Sequence, residues 1–333
     1  MRIAVLGSGS WGSALAKVVS DKGHAVHLWG RRPELAQSIQ EARENSAFLP
    51  GVRFADALTA TSHLGQCLEG AEMVVVAIPT HGLREVVRAA GEVMPRGVPV
   101  VSATKGIEQG SLQFVNEVIA DELPFTASQF VALSGPSFAR EVAHGMPTVV
   151  VAAAHDLAVA TTVQRAFWVD DRFRVYVSDD VVGVEVGGAL KNVIAIAAGA
   201  SDGLGFGHNA RAALITRGLA EMARLGMKMG AHPLTVAGLA GMGDLVLTCT
   251  GELSRNRHVG VELGRGKSLE EILGGMRQVA EGVRTAKSAW DLSRREGVEM
   301  PIVEMVYQVL YEARPIGDAV HYLMTRTAGH ERD

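Results

Sequence analysis

Short apolar runs and amphipathic stretches alternate along the first half of the chain. Residues 2–6 and 25–29 are apolar runs of strand length, and residues 13–22 between them have helical spacing that stops at Gly23. Further apolar runs rich in β-branched residues lie at residues 73–78, 98–102, 130–133, 148–152 and 173–177, and a helical pattern lies at 158–168. This alternation predicts an α/β domain with a mostly parallel, doubly wound sheet.

The pattern changes after residue 178, where strand-like runs stop and longer helical patterns begin. These patterns cover residues 182–198, 211–225, 269–273, 285–296 and 302–312, with glycine-rich connections at 200–207 and 238–243. A chain of 333 residues also exceeds the roughly 100 to 200 residues of a typical domain. We therefore expect an α/β domain at residues 1–180 and an all-α domain at residues 181–328.

Composition argues against several classes of protein. Hydrophobic residues make up 47% and charged residues 20%, as in folded globular proteins, and the net charge is only −4 with no basic stripe for nucleic acid or anionic lipid. We see no signal peptide and no stretch of roughly 18 uninterrupted apolar residues that would span a membrane. Two cysteines and 11 histidines without ligand spacing favour a cytoplasmic protein with no disulfide and no metal.

Three glycines follow the first predicted strand in the pattern GxGxxG. Gly7 permits a tight turn, Gly9 lets the backbone approach a pyrophosphate, and Gly12 allows the next helix to pack closely. The start of that helix supplies amide donors and the positive end of a dipole. A purely structural glycine turn is the alternative, but the strand before the motif and the helix after it predict the dinucleotide-binding turn of a Rossmann domain.

Paired arginines end the second predicted strand. NAD-specific proteins usually carry a carboxylate there for the ribose hydroxyls, and this chain has Arg31 and Arg32 instead, with Glu34 slightly too late. Two guanidinium groups suit a 2′-phosphate by charge and by geometry, which favours NADP(H) without excluding NAD. The alternative is two solvated arginines before the helix that opens at Pro33.

Lys191 lies on an unusual face of the first long helix of the second domain. Its helical neighbours at three, four and seven residues are all small or apolar: Val184, Gly187, Gly188, Ile194, Ala195 and Ala198. Burial on such a face would lower the pKa of a lysine toward the range useful for proton transfer. A lysine that extends along the helix edge to solvent is the alternative. Asn192 offers an amide to a carbonyl or a nicotinamide.

Two loops follow predicted strands of the sheet, and open parallel sheets bind ligands at the carboxyl ends of their strands. Lys105 lies in the first loop, where a solvated charge is the alternative. Residues 134–137 (SGPS) form the second loop, where hydroxyl groups and a glycine could line a pocket, although by itself this segment indicates only a turn.

A guanidinium, an amide and a helix start come together at residues 254–257 (SRNR), a combination that suits a phosphate. A charged surface loop is the alternative. Asp244 follows a glycine-rich connection and could hold a neighbouring ammonium group, or it could be a simple N-cap.

Six motifs, taken together, resemble the NAD(P)-dependent glycerol-3-phosphate dehydrogenases of bacterial type. They are residues 7–12 (GSGSWG), 103–108 (ATKGIE), 134–139 (SGPSFA), 189–193 (ALKNV), 243–245 (GDL) and 254–256 (SRN). Their order and spacing match the family from residue 1 to about residue 320.

The resemblance implies a set of site residues. Those expected at the cofactor, NADP or NAD, are Gly7, Gly9, Ser10, Trp11, Gly12, Arg31, Arg32, Lys105, Ala139, Arg255, Val279 and Glu281. Those expected around the substrate are Lys105, Gly135, Ser137, Lys191, Asp244, Ser254, Arg255 and Asn256.

The implied reaction reduces dihydroxyacetone phosphate to sn-glycerol 3-phosphate with NAD(P)H and supplies the glycerophospholipid backbone. Lys191 would donate the proton and accept it in the reverse direction, with Lys105 and Asn192 stabilising the oxyanion and Asp244 orienting the ammonium group. Another β-hydroxyacid dehydrogenase with a phosphate or carboxylate substrate is an alternative, as is a non-catalytic NADP(H) sensor. The expected partner is a small molecule, and a homodimer is left open.

Overall fold

The computed structural model of the chain describes residues 1–276 and 280–327, and its N-terminal half is built on an eight-stranded sheet. The strands are β1 (Arg2–Leu6), β2 (Ala25–Trp29), β3 (Glu44–Asn45), β4 (Leu49–Arg53), β5 (Leu58–Thr61), β6 (Met73–Val76), β7 (Val100–Ser102), β8 (Phe130–Ser134), β9 (Thr148–Ala153) and β10 (Phe173–Ser178). Their order in the sheet is β10-β9-β8-β7-β6-β1-β2-β5, and β3 and β4 form a separate antiparallel pair.

The sheet confirms the predicted mostly parallel, doubly wound architecture. All neighbouring strands in it are parallel except β8 and β9, so β9 and β10 run opposite to the other six. Six neighbouring strands, β8-β7-β6-β1-β2-β5, have the order of a dinucleotide-binding sheet, in which the direction of winding reverses at β1. The crevice at the carboxyl ends of β1 and β6 is therefore where a dinucleotide is expected.

Helices cover the sheet, and every regular element among the described residues after β10 is helical. In the first domain they are α1 (Ser10–Asp21), α2 (Pro33–Ala42), α3 (Leu64–Leu68), α4 (Thr80–Ala90), α5 (Val115–Glu122), α6 (Ala139–Ala143) and α7 (Leu157–Phe167), with a 3₁₀ turn at Pro124–Gln129. In the second they are α8 (Val181–Gly203), α9 (His208–Lys228), α10 (Pro233–Val236), α11 (Asp244–Thr250), α12 (Arg255–Gly264), α13 (Leu269–Gly274), α14 (Glu281–Glu296), α15 (Pro301–Tyr311) and α16 (Ile316–Thr325), with a π-helical turn at Leu239–Gly243. The predicted boundary near residue 180 falls between β10 and α8 and stays a prediction.

Helix α8 is the centre of the helical domain. It is buried along most of its length, and Asp180 caps its start by accepting a hydrogen bond from the Gly183 N–H at 2.8 Å. Helix α12 packs against α8 with backbone nearly touching backbone, because a Cβ at Gly199 or Gly260 would collide with a carbonyl oxygen of the other helix. This close packing brings the start of α12 next to the middle of α8.

Two helical stretches, Val181–Gly203 and Pro233–Thr250, are long and apolar enough to cross a membrane by length and composition alone. The first of them is α8, whose most apolar window is 83% buried inside the protein. Its apolar composition therefore reflects its place in the core of the helical domain.

Candidate active site

The glycine turn after β1 leaves open space at the start of α1. Gly7 has φ +121°, and a Cβ there would collide with the carbonyl oxygen of Ala77, while a Cβ at Gly12 would collide with that of Gly7. At Gly9, by contrast, a Cβ would meet nothing within 4 Å. Gly9 caps α1 without a side-chain hydrogen bond, and the first turn carries no acidic residue. This opening fits a pyrophosphate at the positive end of the helix.

Neighbouring side chains also fit a dinucleotide. Trp11 follows the turn, and its indole Nε1 is buried without a hydrogen-bond partner in the described part of the chain. Ser10 begins α1 and donates through Oγ to the Phe48 carbonyl oxygen at 2.7 Å, so that hydroxyl proton is already used. The residues present therefore fit the group that the glycine motif predicts.

Arg31 and Arg32 are both exposed where β2 ends. Arg32 is the N-cap residue of α2, and its guanidinium lies 5.5 Å from the ring centroid of Phe48. Neither arginine forms an ion pair with a described carboxylate. Burial, followed by the charges of Arg284 and Arg31, lowers the pKa of His81 at the start of α4. Positive charge from both domains therefore reaches this side of the cleft.

One buried carboxylate holds two lysines from different parts of the chain. Asp244 is the first residue of α11 and is 1% exposed, and its two oxygens accept hydrogen bonds from Lys191 Nζ and, at 2.6 Å, from Lys105 Nζ. The carboxylate is thus committed to the lysines and does not cap its helix. Lys191 is 8% exposed, so it does not extend along a helix edge to solvent.

The pKa values within this group are set by burial and by the other charges. The pKa of Lys191 is lowered to about 8, first by burial and also by the charge of Lys105, against the attraction of Asp244. Burial alone would raise the pKa of Asp244, but the two ammonium groups hold it below its ordinary value. Asp244 therefore stays ionised, while Lys191 can change its charge near neutral pH.

Small residues on α8 give the lysine from the first domain its place. A Cβ at Gly188 would lie 3.4 Å from Lys105 Cγ and 3.0 Å from Ser134 Oγ at the end of β8. Gly188 is one helical turn before Lys191, so both lie on the same face of α8. The hydroxyl of Ser134 is buried beside Lys105 without a hydrogen-bond partner among the described residues.

A chain of hydrogen bonds fixes the orientation of two amide side chains. The Gly282 N–H can only donate, and it donates to Asn256 Oδ1 at 2.9 Å. Asn256 Nδ2 then donates to Asn192 Oδ1, also at 2.9 Å. The acceptor of Asn192 is therefore used, and its NH₂ group remains to donate toward a ligand. Asn256 keeps one N–H for the same purpose.

In the motif at residues 254–257, Ser254 and Arg257 make structural contacts, whereas Arg255 remains available to a ligand. Ser254 is buried and caps α12 by accepting from the Arg257 N–H at 3.2 Å. Arg257 is turned away to an ion pair with Asp202 of α8, with its Nη2 2.7 Å from Oδ2. Arg255 has no such ion pair with a described residue, although Glu281 at the start of α14 lies near enough for their charges to interact. Of the two arginines, only Arg255 is left for a ligand.

The loop after β8 also contacts the helical domain, because a Cβ at Gly243 would lie 3.6 Å from Pro136. Gly135 has φ +140°, and a Cβ there would lie 2.9 Å from the Val150 Cα, while the Ser137 hydroxyl donates back to the Gly135 carbonyl oxygen at 2.9 Å. Ala139 is the first residue of α6. Val279, the remaining predicted cofactor residue, lies outside the described residues.

Two site residues were missed in the sequence. Thr248 is buried one helical turn after Asp244, and its hydroxyl lies 3.5 Å from Asp244 Oδ1 and donates to the Asp244 carbonyl oxygen at 2.6 Å. The spacing of four residues would have placed it on the same helix face. Thr80 Oγ1 donates to the Lys105 carbonyl oxygen at 3.1 Å, a contact that no sequence spacing indicates.

Among residues 1–276 and 280–327, no cluster of three or more His, Cys, Asp or Glu could hold a metal.

Comparisons with known proteins agree with this geometry. Residues 2–160 match the family model of the NAD-dependent glycerol-3-phosphate dehydrogenase N-terminus, and residues 180–321 match that of its C-terminus. The chain is 57% identical over 326 residues to a glycerol-3-phosphate dehydrogenase [NAD(P)+] of Geobacter sp. strain M21, covering 98% of this chain and 97% of the relative. A relative of the same name from Myxococcus xanthus is 54% identical over 98% of this chain and 97% of its own.

A solved structure has the same fold over nearly the whole chain. The crystal structure of a glycerol-3-phosphate dehydrogenase from Coxiella burnetii has a TM-score of 0.93 at 39% identity, and the match covers 98% of this chain and 99% of that one.

Proposed function

Because the chain belongs to the NAD-dependent glycerol-3-phosphate dehydrogenase family, we propose that it catalyses the reversible reduction of dihydroxyacetone phosphate to sn-glycerol 3-phosphate with NADPH or NADH. The observation that carries this proposal is the buried group in which Asp244 bonds both Lys191 and Lys105. The product is the backbone of glycerophospholipids, so the reaction belongs to lipid metabolism.

Lys191 is the proton donor to the oxygen on C2 of the ketone. Its pKa of about 8 lets it hold the proton at neutral pH and release it to a developing alkoxide. In the reverse direction the neutral amine takes the proton from the alcohol. Asp244 keeps the ammonium group in one position throughout, because its other oxygen is anchored by Lys105.

The oxygen on C2 of the substrate also needs hydrogen-bond donors that stabilise its developing negative charge. Lys105 is a cation held beside Lys191, and Asn192 has an NH₂ group whose direction is fixed through Asn256 and the Gly282 backbone. Donors that are already oriented require no rearrangement as charge develops, which is what makes such groups effective in catalysis.

The substrate phosphate is held at the start of α12. Arg255 supplies a guanidinium, Asn256 its remaining N–H, and Ser254 shapes the helix start. Gly135 and Ser137 close the other side of the substrate from the Rossmann domain. Binding energy from the phosphate, which does not react, positions the ketone for reaction.

The residues at the carboxyl ends of β1 and β6 would hold the dinucleotide. Gly7, Gly9, Ser10, Trp11 and Gly12 would bind its pyrophosphate, Arg31 and Arg32 its adenosine ribose, and Ala139, Arg255 and Glu281, with Lys105, would make its remaining contacts. When bound, its nicotinamide supplies the hydride for C2.

The experiment that tests this function is a substrate panel. NADPH and NADH oxidation are followed with dihydroxyacetone phosphate, glyceraldehyde 3-phosphate and a 2-keto acid side by side. We expect turnover with the first substrate. Turnover with the 2-keto acid alone would mean a different β-hydroxyacid dehydrogenase, and none with any ketone would favour a cofactor sensor.

We also propose a cytoplasmic homodimer. An apolar groove between α8, α9, α15 and α16 leaves large side chains open to solvent, with Phe206, Met227 and Met324 exposed by 44%, 48% and 79%. A second copy of the chain would cover such a surface. Sedimentation of the purified protein at micromolar concentration would show the mass of a dimer, and a monomer at that concentration would contradict the proposal.

A further inference from the structure

A ten-residue segment, residues 105–114, joins the two domains at the active site. Lys105 at its start bonds Asp244 of the helical domain. Ile107 and Phe114 are buried in the core of that domain, although the segment follows β7 of the Rossmann sheet. The position of this segment therefore determines where the Lys105 ammonium lies.

Helix α4 holds the beginning of this segment at two points. Thr80 donates to the Lys105 carbonyl oxygen at 3.1 Å, and Gly106 has φ +141° so that the chain passes close to Thr80, where a Cβ would collide. One helical turn later, Arg84 bonds Glu108. The two contacts come from the same face of α4 and hold both ends of residues 105–108.

The Arg84 contact is an unusually complete one. Its Nε lies 3.0 and 3.1 Å from the two oxygens of Glu108, and its Nη2 lies 2.8 Å from Oε2. The same guanidinium bonds Gln113 at 2.6 Å and Glu122 of α5 at 2.8 Å. Bidentate geometry restricts the direction as well as the distance of a partner, so Glu108 has little freedom to move.

We infer that Arg84 and Glu108 form a latch that positions Lys105 against Asp244 for the reaction proposed above. Neither residue touches the substrate in this scheme, so both are positioning residues. Arg88 also pairs with Glu122 through two bonds, so α4 keeps a contact with α5 when Arg84 is replaced. The latch rests on the proposed function for its purpose and on the contacts above for its existence.

Loss of the latch should change the pKa of Lys191, whereas a general loss of stability should not. The positive charge of Lys105 contributes to the lowered pKa of Lys191. When Lys105 moves away, its charge lowers the pKa of Lys191 less, so that pKa rises. The rate of glycerol 3-phosphate oxidation, which needs the neutral amine, then increases at a higher pH than in the wild type.

The test uses Arg84→Gln, Glu108→Gln, their double variant and Arg84→Lys, with Arg88→Gln as the matched control. We expect kcat/KM for dihydroxyacetone phosphate to fall roughly ten- to hundredfold in either single Gln variant, the loss typical of a catalytic group misplaced by about 1 Å. The double variant should be no worse than the poorer single one, because both act through one contact. Arg84→Lys should lie between, and Arg88→Gln within about twofold of the wild type.

A second measurement does not depend on turnover. Acetic anhydride labels lysines in proportion to their accessible neutral amine, and peptide mass spectrometry reports Lys105 separately from Lys17 as an internal reference. Labelling of Lys105 relative to Lys17 should increase severalfold in Arg84→Gln and remain unchanged in Arg88→Gln.

The outcomes separate the latch from the proposed function. Unchanged labelling, pH dependence and kcat/KM in a folded Arg84→Gln protein would overturn the latch, and the Arg84→Lys variant carries the same test if Gln prevents folding. If the wild-type protein does not reduce dihydroxyacetone phosphate, the proposed function is overturned instead. Lys105 labelling would still decide whether the latch exists.

Discussion

The two ends of the cleft are built in opposite ways. At the lysine end, Asp244 bonds Lys191 and Lys105; Asp244 and Lys191 are buried and Lys105 is partly buried, and the three come from α11, α8 and the segment after β7. At the arginine end, Arg31 and Arg32 are neighbours in sequence, remain exposed and have no carboxylate partner among the described residues. The first end is fixed before any ligand arrives, and the second is not.

This difference indicates which step each end controls. A buried charged group is organised by its partners, so it can stabilise charge that appears only during the reaction, and its loss should lower kcat. Exposed cations gain most of their contact energy from the ligand itself, so their loss should weaken cofactor binding. The comparison predicts effects on the rate at one end and effects on cofactor preference at the other.

The largest effect is expected when the proton donor is removed. Lys191→Met keeps the apolar stem without the amine, and kcat with dihydroxyacetone phosphate should fall roughly 10³-fold, within the range of general acid–base catalysis. NADPH binding, measured by fluorescence titration, should stay within about threefold. Lys267→Met is the control, because that lysine is exposed and pairs with Glu262 far from the cleft. Turnover within threefold of wild type would remove the proton-transfer role.

The next effect comes from the carboxylate that holds both lysines. Asp244→Asn leaves the buried Lys191 and the partly buried Lys105 without their counter-charge, and kcat/KM should fall roughly 100-fold, the loss expected when a catalytic group is misplaced by about 1 Å. Asp244 raises the pKa of Lys191, so its loss lowers that pKa further and the pH profile of glycerol 3-phosphate oxidation moves to lower pH.

Asp202→Asn is the matched control for that shift. Asp202 also holds two cations, Arg211 and Arg257, but it does so within the helical domain away from the lysines. It should lower the melting temperature without moving the pH profile. A profile that moved in both variants, or in neither, would contradict the assigned role of Asp244.

The next prediction concerns the wild-type pH profile, in which kcat/KM should change about tenfold per pH unit. Oxidation of glycerol 3-phosphate needs neutral Lys191, and the pKa of that amine is lowered to about 8, with burial as the largest cause. The neutral fraction, and with it kcat/KM, should rise about tenfold per pH unit below 8 and level off above it. A profile that keeps rising to pH 10, as for an ordinary lysine, would contradict the role of burial at this end.

Local patterns were enough to predict the sheet and the position of Arg31 and Arg32 at the end of β2. The compact apolar runs gave the strands around β1, because a strand buried on both faces is apolar throughout. The glycine turn and Arg31 with Arg32 follow two neighbouring parallel strands, β1 and β2, that are joined by the single helix α1, so their sequence spacing also sets their arrangement in space. Burial of Lys191 followed from the small residues around it on one helix.

The contacts of the lysine end could not be predicted in the same way. Asp244 lies 53 residues from Lys191 and 139 from Lys105, and their meeting depends on the packing of α11 and the loop against α8. Arg257 looked as suitable for phosphate as Arg255, and only the fold turns it to Asp202. The short β5, the two-residue β3 and α16, with Ala319 as its only buried residue among those described, bury too little apolar surface to leave a pattern.

The smallest effect tests the arginine end and with it the whole comparison. Arg31→Ser and Arg32→Ser should each raise the Kd for NADPH roughly fivefold, because an exposed charge pair contributes ~1 kcal/mol at most, and should leave the Kd for NADH within about twofold. Arg165→Ser, an exposed arginine on α7, is the control. The kcat with saturating NADPH should not change, since the causes that shift the Lys191 pKa include neither guanidinium. Equal weakening of both cofactors would show that the arginines bind something other than the 2′-phosphate, and a fall in kcat would mean that the two ends are coupled.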